Sequence, residues 1–236
     1  MLKKWLKKLP FALTKNHAYD LQAKKVIHKV VTSTSCCIDV GCHEGEFLDM
    51  FLEKAPTIQH LGFEPLPDFY QNLQKNYGKR CHIFNTALSD QKGQSTFNYV
   101  VSNPAYSGLQ KRNYDKPNEK DTSITVQTDL LDNLIKPSHT INFIKIDVEG
   151  GEYQVLKGAQ KTIIANQPHI IFEHGLGAAD VYGTTPEMIY ELLVENCGLN
   201  IATMQAWLKE QKRFSKATFC RHFYDNLDYY FIAFPK

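Results

Sequence analysis

Residues 36–45 read Cys36-Cys37-Ile38-Asp39-Val40-Gly41-Cys42-His43-Glu44-Gly45, an apolar run that meets a carboxylate and passes into a glycine-bearing turn. The run is short and rich in small and β-branched residues, which suits a strand buried on both faces. Gly41 allows a tight backbone turn, and Gly45 lets a following helix begin close to a ligand. Strand, turn and helix in this order open a βα unit.

Outward from that unit the pattern repeats. A helix over residues 19–31 precedes it, and a helix over 46–54 follows, stopped by Pro56. A strand at 60–64, a helix at 67–77 and a strand at 82–85 complete βαβαβ. Further apolar runs at 142–148, 169–173, 199–203 and 229–234 alternate with helices expected over 152–165 and 186–197. The expected fold class is therefore α/β: a Rossmann-like, mostly parallel seven-stranded sheet with helices on both faces. Between the halves, residues 90–128 carry Gly93, Pro104, Gly108 and Pro117 among short β-rich pieces at 95–101 and 123–128. That stretch is expected to be an insertion over the site. With no repeat and no clear linker, residues 19–236 are expected to form one domain behind a segment at 1–18.

Composition narrows the classes. At 236 residues and 43% hydrophobic, the chain can build a core without disulfides or a structural metal. A net charge of +2 gives no global field for nucleic acid, so none is expected as a partner. Lys3, Lys4, Lys7 and Lys8 alternate with Leu2, Trp5, Leu6 and Leu9 in a short basic amphipathic segment. It is expected first to pack on the domain, and second to make weak contact with an anionic membrane surface. No apolar stretch approaches the ~20 residues of a spanning helix and no secretory signal is seen, so a cytoplasmic location is expected. Six cysteines without a C-x-x-C pair read as buried thiols.

In open α/β sheets ligands bind beyond the carboxyl ends of the strands. Those ends are acidic here: Asp39, Glu64, Asp147 with Glu149, and Glu173 followed by His174. A diphosphate cradle would want G-x-G-x-x-G, whereas this loop carries Asp39 and Glu44, which suit a cationic ligand better. Glu64, a little over 20 residues past Gly41, falls where a carboxylate accepts hydrogen bonds from ribose hydroxyls. An NAD-dependent oxidoreductase shares that device and is the competing class, but lacks support from the glycine spacing. In Phe143-Ile144-Lys145-Ile146-Asp147-Val148-Glu149-Gly150-Gly151-Glu152, strand alternation puts Lys145 and Asp147 on one face. A buried ammonium needs a carboxylate partner, either to fix strand register or to hold an acidic pocket floor in place.

These motifs resemble the FkbM-type methyltransferases, class I Rossmann-like enzymes that use S-adenosylmethionine. The segment Ile144-Lys145-Ile146-Asp147-Val148-Glu149-Gly150 is the most diagnostic. Ile38-Asp39-Val40-Gly41 with Gly45 resembles the family's glycine loop, Gly62-Phe63-Glu64-Pro65 its ribose-binding strand end, and Asn85-Thr86-Ala87-Leu88-Ser89-Asp90 its adenine-side segment. The likeness runs from about residue 19 to 173 and is loose beyond. The family usually has Asn at the position of His43 and a small hydroxyl residue near Leu48, so His43 either contacts the methionine portion or points to solvent.

The resemblance implies S-adenosylmethionine as cofactor, bound by Asp39, Gly41, His43, Gly45, Glu64, Ala87 and Leu88. It implies O-methylation of a sugar, glycan, lipid-linked saccharide or polyketide-type small molecule. Proton removal from the acceptor is assigned first to Glu149 and Asp147, then to His174, with Lys145 holding the pocket floor. No metal-ligand spacing appears, and none is expected. A member of the fold that binds without turnover is the remaining alternative, disfavoured by the intact acidic set.

Overall fold

The computed structural model describes residues 12–114, 118–136, 139–210 and 213–236. Residues 1–11, which carry the lysines of the segment at 1–18 and its expected membrane contact, lie outside the described residues. Helix α1 (Lys15–Val30) begins four residues before the expected start, because the Thr14 side chain accepts from His17 N and caps it. It leads into β1 (Cys36–Val40), α2 (Glu46–Lys54), β2 (His60–Phe63), α3 (Pro67–Tyr77) and β3 (Cys81–Phe84). After the insertion come α4 (Leu131–Leu134), β7 (Ile141–Ile146), α5 (Glu152–Gly158), α6 (Gln160–Asn166), β8 (His169–Glu173) and α7 (Pro186–Tyr190), which runs on as a π-helical stretch, Glu191–Asn196. The chain closes with β9 (Asn200–Thr203), α8 (Met204–Leu208), α9 (Lys216–Tyr224) and β10 (Tyr230–Phe234).

Seven strands form one sheet in the order β3-β2-β1-β7-β8-β10-β9. The first five are parallel, and β10 slots antiparallel between β8 and β9. Successive strand residues supply opposite layers of core. Ile38, Ile144, Ile170 and Phe231 face one layer with Leu156, Ile163, Leu193 and Phe219, while Cys37, Phe143, Ile171 and Ile232 face the other with Val26, Leu48 and Phe51. That two-sided burial is why these strands read as unbroken apolar runs.

The insertion forms a second sheet of β4 (Ala87–Leu88), β5 (Gly93–Val100) and β6 (Asp121–Asp129), with β5 and β6 as an antiparallel hairpin. Both strands run longer than their apolar pieces, since one face is solvated. Four cysteines (37, 42, 81, 197) are buried and Cys36 and Cys220 are half-buried, all as free thiols. No helix among the described residues is long and apolar enough to cross a membrane.

Candidate active site

The parallel strands end at one cavity of about 750 Å³, within the range of small-molecule sites. Its floor starts at the β1 turn. Gly41 sits at φ +78° with its α-carbon so close to the next strand that an added Cβ would lie 2.0 Å from the Asp147 carbonyl oxygen. The left-handed backbone and the contact both demand glycine. Gly45, at φ +88°, caps α2 but is packed against Tyr77 and does not line the cavity.

Glu64 closes β2, is 5% exposed and holds the turn together. Its Oε2 accepts from His43 N at 2.8 Å and its Oε1 from Leu66 N at 2.9 Å. Burial pushes this carboxyl up to about 6, against the pull of those amides. Each oxygen keeps a second lone pair, the chemistry a ribose diol requires. His43 lines the cavity at φ +48° with its ring stacked on Phe69, and so is not a spacer in solvent. Thr86, Ala87 and Leu88 continue the same wall, whereas Leu48 is core.

Lys145 is paired as its strand position requires. Register sets it opposite Asp39, and its Nζ lies 3.1 Å from Asp39 Oδ1 while donating to Gly41 O at 2.6 Å. Burial alone would lower the ammonium's pKa, but Asp39, Asp147 and Cys42 overcome it and hold it above the usual lysine value. Asp39, fully buried, stands behind Lys145 rather than on the cavity surface.

Beyond β7 the chain presents a compact acidic group. One oxygen each from Asp147, Glu149 and Glu173 lie within 4.8 Å of one another. Like charges that close need a cation or a proton among them. Arg112, from the insertion, supplies a cation by pairing with Glu149, its guanidinium 5.0 Å over the Tyr106 ring. Burial and the Asp147 charge push Glu149 up to about 8, with Arg112 pulling the other way, and burial raises Glu173 well above the carboxylate range. Tyr230 donates to Asp147 Oδ2. Glu149 itself stands at φ +60°, and the turn is clamped from inside: the Glu152 carboxylate, 1% exposed, accepts from Val148 N at 3.0 Å and Gly150 N at 3.1 Å.

His174 departs from expectation. It follows Glu173 directly, so strand alternation turns it to the opposite face. There it is 1% exposed, its ring stacks on Phe223 at 4.6 Å, and it does not line the cavity. Neither ring nitrogen has a hydrogen-bond partner among the described residues, and burial lowers its pKa to about 3. A ring held neutral in that packing is no proton acceptor for a ligand across the strand. Conversely, the cavity wall includes residues the sequence did not single out: Arg112, Tyr182, Tyr229 and Tyr230, and Asn16, Tyr19 and Asp20 of α1. Glu173, visible in the sequence as an acidic strand end but given no role there, lines the cavity as well.

The methyltransferase FkbM domain model matches residues 39–201, well over half of the chain, and spans the turn, Glu64 and the acidic group. The chain belongs to the FkbM methyltransferase family. Among relatives, the 2-O-methyltransferase NoeI of Sinorhizobium fredii is 27% identical over 145 residues, 53% of this chain and 58% of NoeI. The AMB antimetabolite synthetase AmbE of Pseudomonas aeruginosa is 22% identical over 180 residues, 61% of this chain and 8% of AmbE. The chain thus spans just over half of one relative and a small part of the other. The crystal structure of methyltransferase FkbM from Methylobacillus flagellatus shares the fold, with a TM-score of 0.53 at 15% identity over 92% of this chain and 52% of that one.

An FkbM methyltransferase needs a site for its methyl donor, and the residues present fit S-adenosylmethionine. Glu64 offers carboxylate oxygens for a diol, the Gly41 turn lines the same cavity, and the acidic wall suits a sulfonium.

Proposed function

We propose that this FkbM-family protein transfers the methyl group of S-adenosylmethionine to a hydroxyl oxygen of a small molecule or glycan: a sugar, a lipid-linked saccharide or a polyketide-type compound. One observation carries the reading. The Glu64 and Gly41 cradle and the Asp147–Glu149–Glu173 group share one cavity, so a diol-binding end and a proton-accepting end face each other. The likeness to a relative described as a 2-O-methyltransferase favours oxygen over nitrogen or carbon as the acceptor atom.

The bound cofactor supplies an electrophilic methyl carbon on sulfonium sulfur. Glu64 holds the ribose hydroxyls, and the Lys145 ammonium, tied to Asp39 and Gly41 O, keeps the turn rigid. Displacement at a methyl group depends on alignment, so fixing this floor supplies much of the rate. Glu149 would take the acceptor hydroxyl's proton as its oxygen displaces sulfur from the methyl carbon and S-adenosylhomocysteine leaves, which contributes about 10²- to 10⁴-fold. With its carboxyl held up to about 8, the proton-accepting form grows towards mildly alkaline pH. Asp147, oriented by Tyr230, holds the hydroxyl in line.

The test is calorimetric titration with S-adenosylmethionine, S-adenosylhomocysteine and NAD, for wild type and Glu64→Ala, followed by a screen of hydroxylated compounds with labelled methyl donor. Binding of the first two, lost in the variant, with label appearing as a methyl ether, is the expected result. Binding of NAD alone overturns the reading in favour of an oxidoreductase.

A further inference from the structure

The cavity is wider than the cradle that holds a cofactor, and the sheet order says where the surplus lies. Glu64 and Leu88 belong to the β2 and β3 side, whereas β10 is four strand positions from β2, about 19 Å at the usual strand spacing. The Gly41 turn and Asp147 stand between them. The far wall comes from two stretches that the family model does not match, residues 16–20 of α1 and residues 226–230 before and within β10.

Those stretches are bound into one unit. Lys15 Nζ donates to Leu227 O at 2.7 Å, Tyr19 OH donates to Asp228 Oδ1 at 2.9 Å, and Tyr229 OH donates to Asn16 Oδ1. His222 Nδ1 lies 2.9 Å from the other Asp228 oxygen. The Tyr19 ring meets Tyr229 edge-on at 4.8 Å and Tyr230 at 5.3 Å. Tyr230 then reaches the reacting end through its bond to Asp147.

We propose that this clasp of the two chain ends, with Asn16, Tyr19, Asp20, Asn226, Tyr229 and Tyr230, is the acceptor-reading wall, and that it takes an uncharged ring compound rich in hydroxyls. The proposal rests on the methyl-transfer reading. Tyrosine faces accept the C–H surface of a saturated ring, and the amide and carboxylate side chains between them match hydroxyls. A phosphate or carboxylate is disfavoured by Asp20 and Asp147 around the same space, where the nearby cations are committed: Arg112 to Glu149 and Lys15 to Leu227 O. The clasp lies outside the residues that the family model matches.

The experiment measures labelled methyl transfer from S-adenosylmethionine to neutral methyl hexopyranosides and to the matching hexose phosphates, using the full chain, Tyr229→Ala and Tyr229→Phe. S-adenosylhomocysteine affinity is measured on each. Expected are transfer to a neutral glycoside, at least about a tenfold rise in its KM for Tyr229→Ala with little change in kcat, and a smaller change for Tyr229→Phe, which keeps the ring. S-adenosylhomocysteine affinity stays within twofold. Transfer confined to the phosphates, no transfer to any neutral member, an unmoved KM, or loss of S-adenosylhomocysteine binding in Tyr229→Ala each overturns the proposal. Failure of wild type to bind S-adenosylhomocysteine instead overturns the methyl-transfer reading beneath it.

Discussion

Lys145 and Asp39, on adjacent parallel strands and far apart in sequence, form an ion pair of 3.1 Å in which both side chains are almost wholly buried. The ammonium also donates to the Gly41 carbonyl, so one side chain joins β1, β7 and the turn that opens the cavity. Removing the cation leaves a carboxylate in the core without compensation. Lys145→Met is expected to cost about 3–5 kcal/mol of stability, and Asp39→Leu combined with Lys145→Met distinctly less than the single change. Urea unfolding of the three proteins measures it; a double variant as damaged as Lys145→Met means the pair does not act as a pair.

Glu64 should make cofactor binding sensitive to acid. Its carboxyl is held up to about 6, and a ribose hydroxyl donates better to the ionised form. S-adenosylhomocysteine affinity is therefore expected to hold above pH 7 and to weaken as pH falls through 6. Glu64→Gln is expected to lose about 10- to 100-fold at pH 7.5, the magnitude of a hydrogen bond to a charged group. Calorimetry across pH 5–8 checks both, and an affinity that rises towards pH 5 contradicts the assignment.

Stability should fall as pH rises above 6.5. Glu152 and Glu149, held up to about 7 and 8 in the fold against 4.5 ordinarily, keep protons that the unfolded chain has already lost. The folded state binds more protons between 6.5 and 8, so stability falls as pH rises through that window. Below 6.5, His174 at about 3 works the other way, since the unfolded chain gains a proton that the fold refuses. There the two effects oppose. Thermal melts from pH 5 to 9 should show Tm dropping above 6.5, with a shallower drop in Glu152→Gln; a Tm that climbs from 6.5 to 8 counts against this assignment.

Arg112 is the cation that lets Glu149 ionise beside Asp147 and Glu173. Arg112→Met should drive the Glu149 carboxyl further up and reduce methyl transfer near neutral pH by about 10- to 100-fold, with partial recovery at alkaline pH. The pH profile of kcat, followed by methyl-ether product, decides it; an unchanged profile removes Arg112 from the chemistry.

We infer that this guanidinium supplies the positive charge that the three carboxylates need. Transfer is expected to survive EDTA treatment and to be unaffected by added Mg²⁺. Loss of activity in EDTA, restored by Mg²⁺, would show that the group is a cation site instead.

The sequence by itself determined what depends on near neighbours in the chain. Runs such as Cys36–Val40 and His169–Glu173 declare buried strands because both faces of the sheet are covered, and Gly41, Glu64, Asp147 and Glu149 mark the strand ends that line the cavity. Lys145 announced a need for a carboxylate, since an ammonium in a core strand cannot stay unpaired. Only the tertiary structure decided which carboxylate answered it, because register between β1 and β7 is a property of two segments and not of either. The same holds for β10 turning antiparallel into the sheet, for α1 reaching the cavity, and for Arg112, which lies in a stretch without periodicity. His174 gives the converse lesson: it stands one residue past a strand-end carboxylate, and the alternation of the strand carried it to the other side of the sheet, into an aromatic core. Local pattern fixes the element a residue belongs to, but the distant surfaces that meet across the cavity are chosen by packing, which no short window of sequence contains.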